Sequence, residues 1–436
     1  MSIFRKLGLE STVIPEEGLP VQTPTPEQTP EPTQAPAPAP TVTGNVDGGD
    51  SGVNLESDAE SMQLEAEAET MEGEGNDIGL AGADISKALI TLENISTILA
   101  KAPDEEINET TAAIVDAAIQ DINSRFDIEN AKEISIEFFQ VQGAKQYRHS
   151  ANEAINERLE QLKKAAYAVV EKIIGWIKQF WSWLTATHKS TKKKLEAAIA
   201  AAKNITVDAT VTLPKYQADR LASGDLVAST VINNGRTLEA VCHSSTLFIK
   251  NAFPKVIGAQ IAFVLREEGV HLAKMCFGNF KSAGDAYVLY SGIAGRHVEV
   301  DFSGDDPRSA FKVNVSKVSS ERGSNELTLK EHDVDVLCQQ ATRTLQASTL
   351  GYDECMSMIR KLEAWRGSVG AAVGGLVSQR IALLNNYSAA VSTLSSVGYT
   401  EALRYADAVV GVLNAYTKAA KPGNDLTPNT NTPLLN

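Results

Sequence analysis

The chain has 436 residues and 43% hydrophobic content, room for two or three domains and enough apolar sequence to build cores where it folds. Its formal net charge of −15 joins two unlike parts: residues 1–137 hold 6 Lys+Arg against 28 Asp+Glu, a net of −22, and residues 138–436 hold 34 against 27, a net of +7. This composition excludes a wholly disordered protein, and an acidic front on a basic body points to a shielding or removable segment attached to something that sits beside polyanion.

The first residues, Met1 to Glu10, place Ile3, Phe4, Leu7 and Leu9 in a short amphipathic pattern but lack the apolar stretch and cleavage site of a secretory signal. A docking peptide and a frayed end both fit. Nine of the sixteen prolines fall between Pro15 and Pro40, followed by a Gly/Asp stretch and the acidic run Glu56 to Glu74. Such sequence cannot bury enough apolar surface to offset its ordering entropy, so residues 1–76 are expected to be a disordered Pro/Thr-rich and acidic leader.

From residue 77 to 137 the spacing predicts an acidic helical hairpin. Ile85, Ala88, Leu89, Leu92, Ile95, Ile98 and Leu99 recur at three and four residues, and Ile107, Ile114, Val115, Ala118, Ile119 and Ile122 do so again after Pro103. Residues 138–204 read as a long amphipathic Trp/Lys-rich helix, its start placed near Ser150. Residues 205–335 read as an α+β domain, with strands over Ile205–Leu213, Leu226–Asn233, Ala286–Tyr290, His297–Phe302 and Phe311–Val318 and a buried helix within Leu247–Leu265. Residues 336–421 read as helical, and 422–436 as a disordered tail. The fold class is therefore α+β.

No catalytic signature is present: no G-x-S-x-G, P-loop, H-E-x-x-H or dinucleotide fingerprint. Cys242, Cys276, Cys338 and Cys355 are far apart, with no spaced histidines, and read as buried thiols; no metal or cofactor is expected. Cys242 and His243 are adjacent, which on a strand sends their side chains to opposite faces. The loop from Asp301 to Asp306 lacks the later bidentate glutamate of a calcium loop. A non-enzymatic role follows.

Trp176, Phe180, Trp181 and Trp183, interleaved with Lys163, Lys164, Lys172 and Lys178, suit either an interfacial membrane helix or a core helix, and the core is preferred. Lys189, Lys192, Lys193 and Lys194 form a basic run that could contact phosphate without reading sequence.

Between Ile134 and Leu184 lie a Ser-x-Glu site, a Gly-containing turn at Gln142-Gly143-Ala144 and a long helix ending in Trp/Phe/Lys-rich sequence. With the acidic leader, this resembles the internal head proteins of giant tailed bacteriophages of the phiKZ type. The Pro/Thr-rich tether is not part of that pattern. The resemblance implies a precursor made in the host cytoplasm, packed inside the prohead and trimmed by a prohead protease after Ser/Ala/Gly-x-Glu. It would end as a structural protein of the capsid interior, among capsid or inner-body proteins and packaged DNA. The tripeptide also occurs at Glu10, Glu133, Glu153, Glu321 and Glu326, but Ser135-Ile136-Glu137 alone falls at the charge discontinuity. The expected site is thus Ser135, Glu137 and Phe138, with Glu133 and Glu10 secondary. The rival expectations are a membrane-active or host-injected effector working through the Trp-rich helix, and an enzyme with an unrecognised site in residues 205–335.

Overall fold

The computed structural model describes residues 55–420 apart from 129–131, 133, 259–264, 285, 303, 305, 307–309, 320–321 and 370–375. The tether, Glu10, Glu133 and the tail from residue 422 lie outside the described residues.

The chain is organised around a rod near its C-terminus. Helix α9 (Leu376–Leu394) runs through a π-helical turn (Ser395–Thr400) into α10 (Glu401–Ala419). From Ser378 to Val410 few residues are more than marginally accessible. A helix that is apolar on all sides can only be satisfied in the middle of a protein, and the other helices wrap this one.

Helix α1 (Leu55–Lys101) and α2 (Glu109–Phe126) are joined by a 3₁₀ turn at Asp104–Glu106. Asn108 caps α2 by accepting from the Thr111 backbone N–H, and Asp127 closes it in the left-handed region. The first correction concerns α1, which begins at Leu55, so residues 55–76 are helical where the acidic composition predicts disorder. Ser61, Glu65, Ala68, Glu72, Gly75, Gly79, Gly82, Ser86, Leu89 and Glu93 follow one another at alternating steps of four and three, a continuous stripe with almost no apolar residues in its first half. That stripe faces the rod. Asn385 Nδ2–H donates to Gly82 O at 3.0 Å and to Ser86 Oγ at 2.9 Å, and Ser378 donates to Glu93. At Gly75 a Cβ would stand 2.2 Å from Ser392 Oγ and 2.8 Å from the Trp176 ring, so only glycine allows so close an approach.

Helix α3 (Ile136–Ala202) starts some fourteen residues earlier than its periodicity suggests. Ser135 is its cap, accepting from the Phe138 backbone N–H at 3.2 Å. The expected turn at Gly143 appears as a break inside the helix, with φ 75° and ψ 172°. After it come strand β1 (Ala209–Thr212), the short α4 (Lys215–Leu221), α5 (Ala228–Gly258) and α6 (Leu265–Phe277). Here lies the second correction: within residues 226–233, read as a strand, the long helix α5 begins at Ala228. Val231, Leu238, Val241, Cys242, Ser245, Phe248, Ile249 and Ala252 are buried along one helical face. Cys242 and His243 are therefore helical neighbours, one buried and one exposed.

Strands β2 (Lys281–Ala283), β3 (Ala286–Ile293), β4 (Arg296–Asp301) and β5 (Lys312–Lys317) make an antiparallel meander, while β6 (Glu326–Leu329) returns to pair with β1. Helices α7 (Glu331–Ala347) and α8 (Tyr352–Val369) lead back to the rod. Phe248, Phe277, Phe302, Phe311 and Tyr387 stack together beneath the meander. The class is α+β with helix dominant, and one apolar core runs from the hairpin through α3 and the strands to Tyr416.

Candidate functional site

The Glu137–Phe138 bond lies in the first turn of α3. Glu137 is exposed, whereas Ile134 is buried and Phe138 and Phe139 are partly buried. Phe139 sets its ring edge-on to Tyr147 at 5.5 Å. A protease needs its substrate extended, so this turn must unwind before it can be cut. Gly143 confines that unwinding to one short piece: residues 136–142 are separated from the rest of α3 by non-helical backbone. The other tripeptide matches differ. Glu153 sits within α3 paired to Lys132, and Glu326 begins β6. Glu321 lies outside the described residues.

The second notable region is where α1 meets the body. Arg220 of α4, Arg296 of β4 and Arg404 of α10 converge on Glu401. Both Arg220 contacts to that carboxylate are 3.1 Å, Arg404 Nη1 reaches Oε1 at 2.8 Å, and Arg296 Nη1 lies 3.6 Å away. Burial alone would raise the Glu401 carboxyl, but Arg220, Arg404 and Arg296 outweigh it and hold it down at about 2. Arg296 is raised in turn; burial opposes its charge, and Glu401 and Glu72 overcome that.

Helix α1 completes the cluster. Glu72 takes Arg296 in a bidentate pair at 3.1 and 3.0 Å. Glu65 pairs with both Arg220 and Arg404. One turn earlier Ser61 donates to Asp407 Oδ2 at 2.6 Å, and Glu60 pairs with Lys194. The Asp407 carboxyl is raised by burial, with the Ser61 hydrogen bond opposing. Three guanidinium groups thus face one carboxylate from the body and two from the leader. Breaking a buried pair of this kind by removing one partner costs about 3–5 kcal/mol.

The Trp-rich face of α3 is covered by the same helix and by the rod. Trp176 stacks on Phe180 at 5.3 Å and donates its indole N–H to Met71 O; Trp183 donates to Glu67 Oε2 at 2.9 Å. Trp181 is fully buried between Tyr352 and Tyr399. In this conformation the aromatic stripe is core, and among the described residues no helix is long and apolar enough to cross a membrane. Of the basic run, Lys189, Lys192 and Lys193 are exposed, while Lys194 is half-buried against Glu60.

The four cysteines are free and buried. Burial pushes the thiols up, to about 12 at Cys276 and Cys355 and about 11 at Cys338, which is the reverse of what a nucleophile needs. Among the described residues no group of three His, Cys, Asp or Glu could hold a metal ion.

Sequence reasoning missed the arginine cluster. Its members come from residues 65 to 404, and only Glu401 and Arg404 share a local spacing; Glu65 and Glu72 looked like part of a solvated acidic run.

No curated protein and no solved structure matches the chain. A family model does, that of the phiKZ-like phage internal head proteins, over residues 56–261. The match begins in the first turn of α1, omits the Pro/Thr-rich tether, and runs through α2, α3, α4 and the whole of α5. Over these residues, which span both the Glu137 turn and the leader side of the charged cluster, the chain is similar to the phiKZ-like phage internal head proteins.

Proposed function

We propose that this protein is made as a precursor in the host cytoplasm, packaged within the prohead beside DNA, and cut by the prohead protease after Glu137. The observation that carries this reading is the position of Ser135-Ile136-Glu137: its Glu137 exposed, at the junction between the −22 and +7 parts of the chain, in a helical turn that Gly143 isolates. The acidic leader covers basic groups of the body during assembly, and the cut prepares their exposure to polyanion. Lys189, Lys192 and Lys193 face solvent and are available to phosphate at every stage.

The cut alone does not free the leader. Ile85, Leu89, Leu92 and Leu99 of α1 are buried, each worth about 1.5–3 kcal/mol on burial, and α2 adds Val115, Ile119, Ile122 and Phe126. The leader is part of the folded precursor, and its departure is a separate step from its cleavage.

The N-terminal sequence and intact mass of the protein from purified particles test the reading. A start at Phe138 is the expected result, and an intact Glu137–Phe138 bond in mature particles overturns it. Phage carrying Glu137→Ala are expected to retain the longer chain with a folded body.

A further inference from the structure

Glu65 serves its partners poorly. Arg404, whose side chain is 1% exposed, points Nε at Glu65 Oε2 from 3.2 Å, yet that N–H makes no hydrogen bond. The same carboxylate is also claimed by Arg220. As placed, the two Glu65 oxygens leave the Arg404 Nε–H without a hydrogen bond, whereas a tetrahedral group with three or four oxygens offers acceptors in more directions to guanidinium forks arriving from α4 and α10. Glu72 fits better, but its bidentate pair with Arg296 is also the arrangement in which an arginine holds a phosphate.

The charges point the same way. Without α1, the ion pairs left to Arg220, Arg296 and Arg404 among the described residues are those with Glu401, and guanidinium groups do not shed their protons. The two leader carboxylates neutralise the surplus of two positive charges. Whatever replaces α1 must bring the same charge to the same place.

We propose that Arg220, Arg296 and Arg404 form a phosphate-binding site for which Glu65 and Glu72 are built-in substitutes, so that the leader yields its place to phosphate. This deepens the reading above, in which the leader is cut. The phosphate comes either from the backbone of packaged nucleic acid or from free phosphate.

The test is independent of the natural cut. A specific protease site is introduced at the exposed turn Asp104–Glu106 of the full-length chain, and the purified protein is cleaved there. Gel filtration then follows the α1 fragment in chloride buffer, with added inorganic phosphate, and with a short DNA duplex, all at equal ionic strength. The fragment is expected to stay with the body in chloride and to leave on addition of phosphate or duplex. Release by duplex at a concentration where phosphate is inert assigns the site to nucleic acid, and release by both at similar phosphate concentration assigns it to the free anion. Glu72→Gln is expected to lower the concentration needed about tenfold, and Arg296→Gln to abolish the effect. Because Arg296→Gln can impair folding, Glu72→Gln, which leaves every arginine in place, carries the test by itself. Dissociation in chloride alone, or release that neither phosphate nor duplex promotes beyond chloride, overturns the site. Since the engineered cut bypasses Glu137, that failure would leave the processing reading untouched, as an uncut virion protein would leave the site untouched.

Discussion

The two halves of α1 lie on the same rod and hold it by different means. From Ile85 to Leu99 the helix is attached by aliphatic side chains buried against α3 and α9, an attachment made mainly by removing apolar surface from water. From Ser61 to Gly82 it is attached by glutamates on arginines, an indole on a backbone carbonyl, and glycines that let helix backbones come close. The C-terminal half would adhere to almost any apolar groove. The N-terminal half fits one set of partners, and its grip depends on charge. A leader built this way is held at one end by burial and at the other by charge.

The sharpest way to break this comparison is at Glu401. Glu401→Gln leaves three guanidinium groups without their shared carboxylate and is expected to destabilise the protein by about 3–5 kcal/mol, measured by denaturant titration. A loss below about 1 kcal/mol would mean that the charged half contributes little to holding the fold.

Acid probes the same half with no substitution. A carboxyl held at about 2 in the fold, against an ordinary 4.5, contributes stability that is complete above pH 4.5 and is lost as pH falls from there toward 2. The loss is expected to be on the order of 3 kcal/mol; Asp407 and Glu93, which burial raises, favour the fold as pH falls toward their ordinary values and so act mainly ahead of it. Thermal melts across that window should show Glu401→Gln with a shallower acid slope than the parent chain.

Two glycines then separate contact from propensity. Gly75→Ala places a methyl group against Trp176, whose ring is fixed by Phe180 and Met71 O, and should cost about 1–3 kcal/mol. Gly73→Ala meets nothing within 4 Å on the same helix and should stabilise by up to about 1 kcal/mol through helix propensity. Equal effects at the two positions, read from urea midpoints, would show that α1 does not approach the rod so closely in solution.

The same contrast explains what was legible. The hairpin could be read from Ile85, Leu89 and Leu92 because their burial is encoded in apolar spacing, and β3, β4 and β5 because alternation and turn residues bound them. The first half of α1 was hidden because its stripe is Ser, Glu, Ala and Gly, residues that look solvated until arginines from distant sequence are brought to them. At residues 226–233 the β-branched Val231 and Ile232 argued for a strand, but burial of α5 against α7 and α9 prevailed over local propensity. Gly235 there admits Tyr405, whose hydroxyl donates to Val231 O at 2.9 Å. For the site, the proposed cleavage motif at Glu137 is a local pattern of the sequence, whereas the proximity of the three arginines exists only in the fold.

Gly143 gives the proposed cut a direction. Severing the chain after Glu137 would leave a new ammonium group at Phe138, where the dipole of a helix start repels positive charge, and Ser135 would depart with the other fragment. The stub from Phe138 to Gln142 then has neither its cap nor a favourable field, and it frays. The fraying stops at Gly143, where the backbone has already left the helix, so the long helix and its tryptophans do not feel the break. Gly143 acts as a firebreak: the two new ends drift out of register and cannot be rejoined, while the packing a few residues away stays as it was.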